Sequence, residues 1–432
     1  MLEGVAMKLS DICGYYNPSF FNMVLETEEN IEVALNKYSA TFAHEFIHYI
    51  QDIILPYNIR VNLSRLLWFS DIQQFALRNG YIMRPFNNWG DEAKTTILQF
   101  NMSIGNNSSE CQFIDTVRNL GDAFVSYKEA SGFDEAYSKQ YRQFKIYKYS
   151  VCVNGKDTYN LGARDLMEYI AYKIETKHFE TANRFHQLPY ESIDLLFTHY
   201  GLTHVPDEIR LCIAEVCLYN DNPIRFLFLN FLENEEFKQG VKTLSYEEIY
   251  NKFLLLEFET VDGVKETIKH KTNRRLKQFE SILSKHYTNF VGIKEWIQRV
   301  NIFAETELSE RFIFSDLYKM DTNAFVEMIS WMIDKIGLPL VLNNKEECVS
   351  LQSHQYNIDE FVQFYILQQF FVYALTATDV KGICPIYKFC RANGDICDIQ
   401  CSSNLQIENI ESRQCPYYRF LKSYGLLNVE MR

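Results

Sequence analysis

The run His44-Glu45-Phe46-Ile47-His48 sets two imidazoles and a carboxylate at a spacing that suits a single metal ion. At about 3.6 residues per helical turn, His44 and His48 lie one turn apart on the same face, so both rings can reach an ion about 2 Å away. Glu45 falls about 100° further round the helix, beside the ion rather than on it. A carboxylate placed there can act as a general base, taking a proton from water that a divalent cation has made more acidic. With only 9 His in 432 residues, composition yields this pattern by accident about 0.01 to 0.02 times. The competing reading is of two satisfied core or surface histidines on an amphipathic helix. Phe42, Ala43, Phe46, Ile47 and Ile50 make the helix apolar nearly all round and therefore buried, and a buried His pair with a Glu must be partnered by something.

A catalytic zinc site takes three protein ligands and keeps one position open. Asp52 lies one turn past His48 but about 12 Å along the axis from His44, too far to share an ion. The third ligand therefore comes from another helix, and the best candidate is Glu168. Ala171, three residues on, leaves room for a close helix approach, with Tyr172 and Glu175 on the same face. Glu175 is the main rival as ligand. Asp165 and Asp52 are candidates for carboxylates that orient a ligand His from behind.

These residues need a frame. An apolar run over residues 30–55 reads as one helix ending before Pro56, preceded by a strand over 20–26. Residues 61–143 look mostly helical, with a polar break at 105–109, so about 57–143 reads as a helical insertion. Residues 144–153 turn β-branched and aromatic, and Asn154-Gly155 follows, a hairpin signal. A second helix over 161–181 then carries Glu168, with Leu166, Ile170 and Ile174 at four-residue spacing. Further helices are expected at 207–220, 223–234, 246–256 and 293–317. With 17 Gly and 9 Pro punctuating the chain, the expected class is α+β, predominantly helical, with a small sheet and a large helical remainder. The expected units are 1–200 with the metal motif, 201–380 as a helical domain, and 381–432 as a Cys-rich segment.

A formal charge of −13 and a pI near 5.3 disfavour nucleic acid and anionic membranes as partners. The amino terminus lacks a signal-like pattern, and the apolar run 361–377 is interrupted by Gln363, Gln368 and Gln369. A cytoplasmic protein is the expectation, with its 11 cysteines reduced, buried or metal-bound. Cys384, Cys390, Cys397, Cys401 and Cys415 gather near the carboxy terminus without a C-x2-C knuckle. A structural metal, buried thiols and redox regulation all stay open for them. No P-loop or G-x-G-x-x-G motif supports nucleotide chemistry.

His44-Glu45-x-x-His48 with a later Glu168-x-x-Ala171 resembles the gluzincin branch of the zincin metallopeptidases, over about residues 15–185. The longer run His44 to Gln51 is also similar to the H-E-x-x-H-x-x-Q helices of some bacterial peptidase-like domains associated with toxins. The resemblance implies a zincin-like catalytic core binding Zn²⁺ through His44, His48 and Glu168, with Glu45 as base. It implies hydrolysis of a protein or peptide substrate, as an endopeptidase. It also implies an oxyanion donor, for which Tyr159, Tyr172 and Arg164 are candidates, and an edge strand that holds extended peptide, for which residues 20–26 are the candidate. Two other readings compete: a non-enzymatic helical interaction protein whose zinc is structural, and a metal- or redox-sensing regulator.

Overall fold

Leu55 precedes a proline and takes the extended conformation that proline imposes on its neighbour (φ −84°, ψ 131°), ending one helix, while Pro56 opens the next at a position where its missing N–H costs nothing. The computed structural model describes residues 9–11, 14–106, 113–134, 138–180, 186–240, 245–259, 265–308, 311–349, 358–376, 384–394 and 415–432. The architecture is α+β and predominantly helical. The expected helix over 30–55 is two, α1 (Ile31–Lys37) and α2 (Ser39–Ile54), bent at Tyr38. Its hydrogen bonding runs on through the bend, from Tyr38 N–H to Ala34 O (2.8 Å) and from Phe42 N–H to Tyr38 O (2.9 Å). Then come α3 (Pro56–Asn79), α4 (Asp91–Ser103) and α5 (Ala163–His178).

The largest sheet has the order β1 (Leu9–Asp11), β2 (Gly14–Asn17), β3 (Asn22–Leu25), β10 (Leu340–Asn343), β11 (Cys348–Val349). All residues of β3 and β10 are buried, as befits strands covered on both faces. The strand expected at 20–26 is thus present, but as the middle strand: β2 pairs with it antiparallel and β10 parallel, so it offers no free edge. A central position suits Met23, Val24 and Leu25, which leave no polar face for solvent, while the one polar side chain, Asn22, is buried with bonds to Phe20 O (3.1 Å) and Gln368 (2.9 Å). The outer strands are β1 and β11. Because β10 pairs with β3, the sheet crosses the boundary expected at residue 200. The turn into β3 puts Phe21 at φ 47°, a left-handed conformation unfavourable for a bulky residue. Its ring is held against Trp296 (5.0 Å) and Phe364 (4.8 Å).

The helical insertion expected over 57–143 is correct only for α3 and α4, apart from a two-residue strand, β4 (Tyr81–Ile82). Its last part is β5 (Leu120–Asp134), which with β6 (Ser138–Val153) makes a long antiparallel hairpin. β7 (Asp157–Leu161) adds to β6 after a turn in which Asn154 and Gly155 have φ 54° and 71° and Lys156 N–H reaches Val153 O (3.1 Å). That is the Asn-Gly turn the sequence signals. Two further pairs are β8 (Glu257–Glu259) with β9 (Lys265–Thr267), and β12 (Glu430–Met431) with β4.

The helix expected over 293–317 is split into Val291–Thr306 and Ile313–Lys319; buried Glu215 accepts from the amides of Ile313 (3.1 Å) and Phe314 (3.2 Å) at the start of the second. Among the described residues no helix is long and apolar enough to cross a membrane. Cys384 and Cys390 are buried and Cys415 is half-buried. Cys397 and Cys401 lie outside the described residues.

Candidate metal centre

Two helices carry the site, and both are buried because their sequences leave no wholly polar face. On α2 the buried positions include Ala43, His44, Glu45, Phe46, Ile47, His48, Ile50 and Gln51. On α5 they include Leu166, Glu168, Ile170, Ala171, Ile174 and Glu175. The start of α5 is fixed by a close chain crossing: a Cβ on Gly162 would lie 2.0 Å from Gly105 N and 2.0 Å from Ile104 C, so only glycine fits. Asp165 then caps the helix, accepting from Gly162 N–H (2.8 Å) and from the Tyr159 hydroxyl (2.6 Å). Burial raises the Asp165 pKa to about 7.

His44, His48 and Glu168, all fully buried, converge. His44 Nε2 lies 3.1 Å from His48 Nε2 and 3.4 Å from Glu168 Oε2, and His48 Nε2 lies 3.3 Å from the same oxygen. Ligand atoms about 2.0–2.1 Å from a tetrahedral ion stand roughly 3.3–3.4 Å apart, so this triangle has the size of one face of a zinc tetrahedron. The other ends of the side chains are held. His44 Nδ1–H donates to Glu175 Oε2 (3.0 Å) and His48 Nδ1–H to Gln51 Oε1 (2.8 Å), while Gln51 Nε2–H donates to Met167 O on α5 (3.1 Å). Arg164 Nε donates to Glu168 Oε1 (3.4 Å), the oxygen turned away from the rings.

With hydrogen on each Nδ1, both Nε2 atoms present lone pairs, and so does Glu168 Oε2. Three lone-pair atoms in van der Waals contact in a buried space repel unless a proton or cation sits between them. The local field points the same way. Burial opposes charge on His44, yet hydrogen bonds to Glu168 and Glu175 hold its pKa well above the usual value. Burial likewise opposes ionisation of Glu168, but the two imidazoles and Arg164 keep it well below the ordinary carboxylate range. At His48 burial wins and the pKa falls. The donor set, two imidazoles and a carboxylate, fits a divalent transition metal such as zinc.

Glu45 is fully buried on the neighbouring strip of α2. Strand β2 runs close over it: a Cβ on Gly14 would meet Thr41 Cγ2 at 2.8 Å and Val24 O at 3.0 Å, and would stand 3.6 Å from Glu45 Cγ.

Comparison with protein-family models, with curated proteins and with solved structures returns no significant match. The chemistry of the site therefore rests on its geometry.

Against the sequence expectations, His44, His48 and Glu168 come together. Glu175, weighed as a rival ligand, instead sits behind His44. Asp52 and Asp165 do not orient either histidine: Asp52 accepts from the Tyr16 hydroxyl (3.0 Å) and Ser19 N–H (2.7 Å), and Asp165 serves the cap. Tyr159 gives its hydroxyl to that cap. Tyr172 packs on Tyr190 (5.2 Å), whose ring stands edge-on to His44 (6.2 Å). Sequence reasoning assigned no role to Gln51 or Tyr190. The i+3 spacing of Gln51 from His48 could have indicated the first; nothing local indicates the second.

Proposed function

We propose that this chain is a zinc-dependent metallopeptidase of the gluzincin type, cutting peptide bonds in a protein or peptide substrate. The observation that carries the reading is the convergence of His44 Nε2, His48 Nε2 and Glu168 Oε2 next to Glu45. Zinc bound there supplies Lewis acidity, making water more acidic and polarising a carbonyl. Glu45 takes the proton from the attacking water and passes it to the leaving amine. Tyr172, whose ring packs on Tyr190, is our candidate for the oxyanion donor; Tyr159, tied to Asp165, acts instead by fixing the start of α5. The outer edge of β1, whose partner β2 begins at Gly14 over Glu45, is where an extended peptide would pair.

The full burial of His44, Glu45, His48 and Glu168 favours a second reading, a structural zinc in a non-catalytic protein. Elemental analysis and cleavage of a denatured protein mixture separate the two, using wild type, Glu45→Gln and Glu168→Ala. The peptidase reading expects one zinc per chain in wild type and Glu45→Gln, with loss in Glu168→Ala. Cleavage should occur in wild type and fall by about 10²–10⁴ in Glu45→Gln. Zinc retained as described with no cleavage by wild type would leave the structural reading.

A further inference from the structure

Two loops meet over the aromatic side of His44. Residues 113–117 and 186–190 join in an isolated antiparallel bridge, with Ile114 N–H donating to Leu188 O and Leu188 N–H to Ile114 O, each 3.2 Å. Val117 N–H donates to the Gln187 side chain (2.6 Å), and His186 pairs with Asp115 (2.5 Å). Phe113 packs on His186 (4.8 Å) and stacks on Tyr190 (6.3 Å), which in turn faces His44.

A substrate carbonyl cannot reach fully buried ligands unless part of their surroundings moves. The walls differ in what moving them would break. Helices α2 and α5 and strand β2 belong to the main core, and Leu188 and Tyr190 are buried. Residues 113–117 lie at its margin: Ile114 and Val117 pack against the core only partly buried, Phe113 is half-buried and Asp115 is exposed. Segments with little buried apolar surface open first, and enzymes place their lids among them.

We propose that residues 113–117 are a gate over the metal centre, closed by the Ile114–Leu188 bridge, the Asp115–His186 pair and the stacking of Phe113 on Tyr190. The gate rests on the metal reading of His44, His48 and Glu168; its fastenings meet those ligands through Tyr190, whose ring faces His44, and through Arg164, which lies over Phe113 (5.5 Å) and donates to Glu168. It opens by peeling away from 186–190, which stay with the core. The closed form shields the centre from solvent, and entry favours a flexible peptide segment over a rigid folded surface.

The test is the rate at which excess 1,10-phenanthroline strips zinc from the full chain. Asp115→Asn and Phe113→Ala should each speed the loss about tenfold at unchanged zinc content, because each removes one fastening. Ile114→Cys with Leu188→Cys should, when oxidised to a disulfide, slow it about tenfold, and reduction should restore the wild-type rate. Equal rates in all these proteins overturn the gate. If the purified chain holds no zinc that Glu168→Ala removes, the metal reading fails separately, and amide hydrogen exchange decides the gate. The Ile114 and Leu188 amides should then exchange about a hundredfold or more faster than those within α5, and the oxidised cysteine pair should abolish the difference. Protection equal to that of α5 overturns it.

Discussion

A histidine presents Nε2 to a cation only while Nδ1 keeps its hydrogen, so the groups behind the rings decide whether the pair can bind at all. Glu175 holds His44 in that form and adds a negative charge that makes the ring a stronger donor. Gln51 does the same for His48 without the charge. Glu175→Gln keeps an acceptor for Nδ1–H and removes only the charge. It should weaken zinc binding about 10- to 100-fold, read by competition with a chromophoric chelator, with little change in thermal unfolding of the metal-free protein. Unchanged affinity would mean that the carboxylate does not tune the ring. At this scale the sequence was informative where helical spacing alone fixes geometry. His44 and His48 share a face by count, and Glu168 could be picked from an acidic position flanked by Ala171. The assignments that depended on how two helices meet were not readable: whether Glu175 lands on the ion or behind a ring is settled by the rotation of α5 against α2.

The elements are placed by a few positions where backbone meets backbone. Gly162 lies against Ile104 and Gly105, and this crossing sets where α5 begins and so where Glu168 points. Gly162→Ala has no side chain to push aside, since the clash is with main chain, and it should destabilise the fold by roughly 3 kcal/mol or more. Urea unfolding measures this; a loss under about 1 kcal/mol would show that the crossing relaxes cheaply. The helices were legible from their apolar runs, and the α2–α3 junction from Pro56. Of the β5–β6 hairpin, residues 144–153 were legible as a strand, whereas β5 was hidden for a physical reason. Side chains of β5 such as Phe124, Val125, Ser126, Tyr127, Lys128 and Glu129 are exposed on both faces, so the strand lacks the alternation that a half-buried one shows. The pairing of β3 with β10 was hidden by distance along the chain, since neither strand's composition names its partner.

Across the whole molecule, one buried polar cluster joins the sheet to α2, which carries both histidines, and to α3. Asp52 at the end of α2 bonds to Tyr16 on β2 and to the Ser19 amide, and Asn62 of α3 donates to the Asp52 carbonyl (3.0 Å). Arg65, also buried, donates to Pro18 O (3.1 Å). Burial raises the Asp52 pKa to about 7, against the pull of the Ser19 and Tyr16 hydrogen bonds and of Arg65. In the unfolded chain the same group titrates near 3.9. Between these values the folded protein holds a proton that the unfolded chain has released, so the stability from this group is complete below about pH 4 and is lost as pH rises through 7. Asp52→Asn is neutral throughout and lacks that slope. With zinc in excess, urea unfolding at pH 5.5 and pH 8 should show wild type losing on the order of 2 kcal/mol relative to the variant across the interval, at about 1.4 kcal/mol per unit. A constant difference between the two proteins would mean that Asp52 stays ionised in the fold, with Arg65 compensating its charge. The junction of sheet and helices would then be an ion pair rather than a protonated acid.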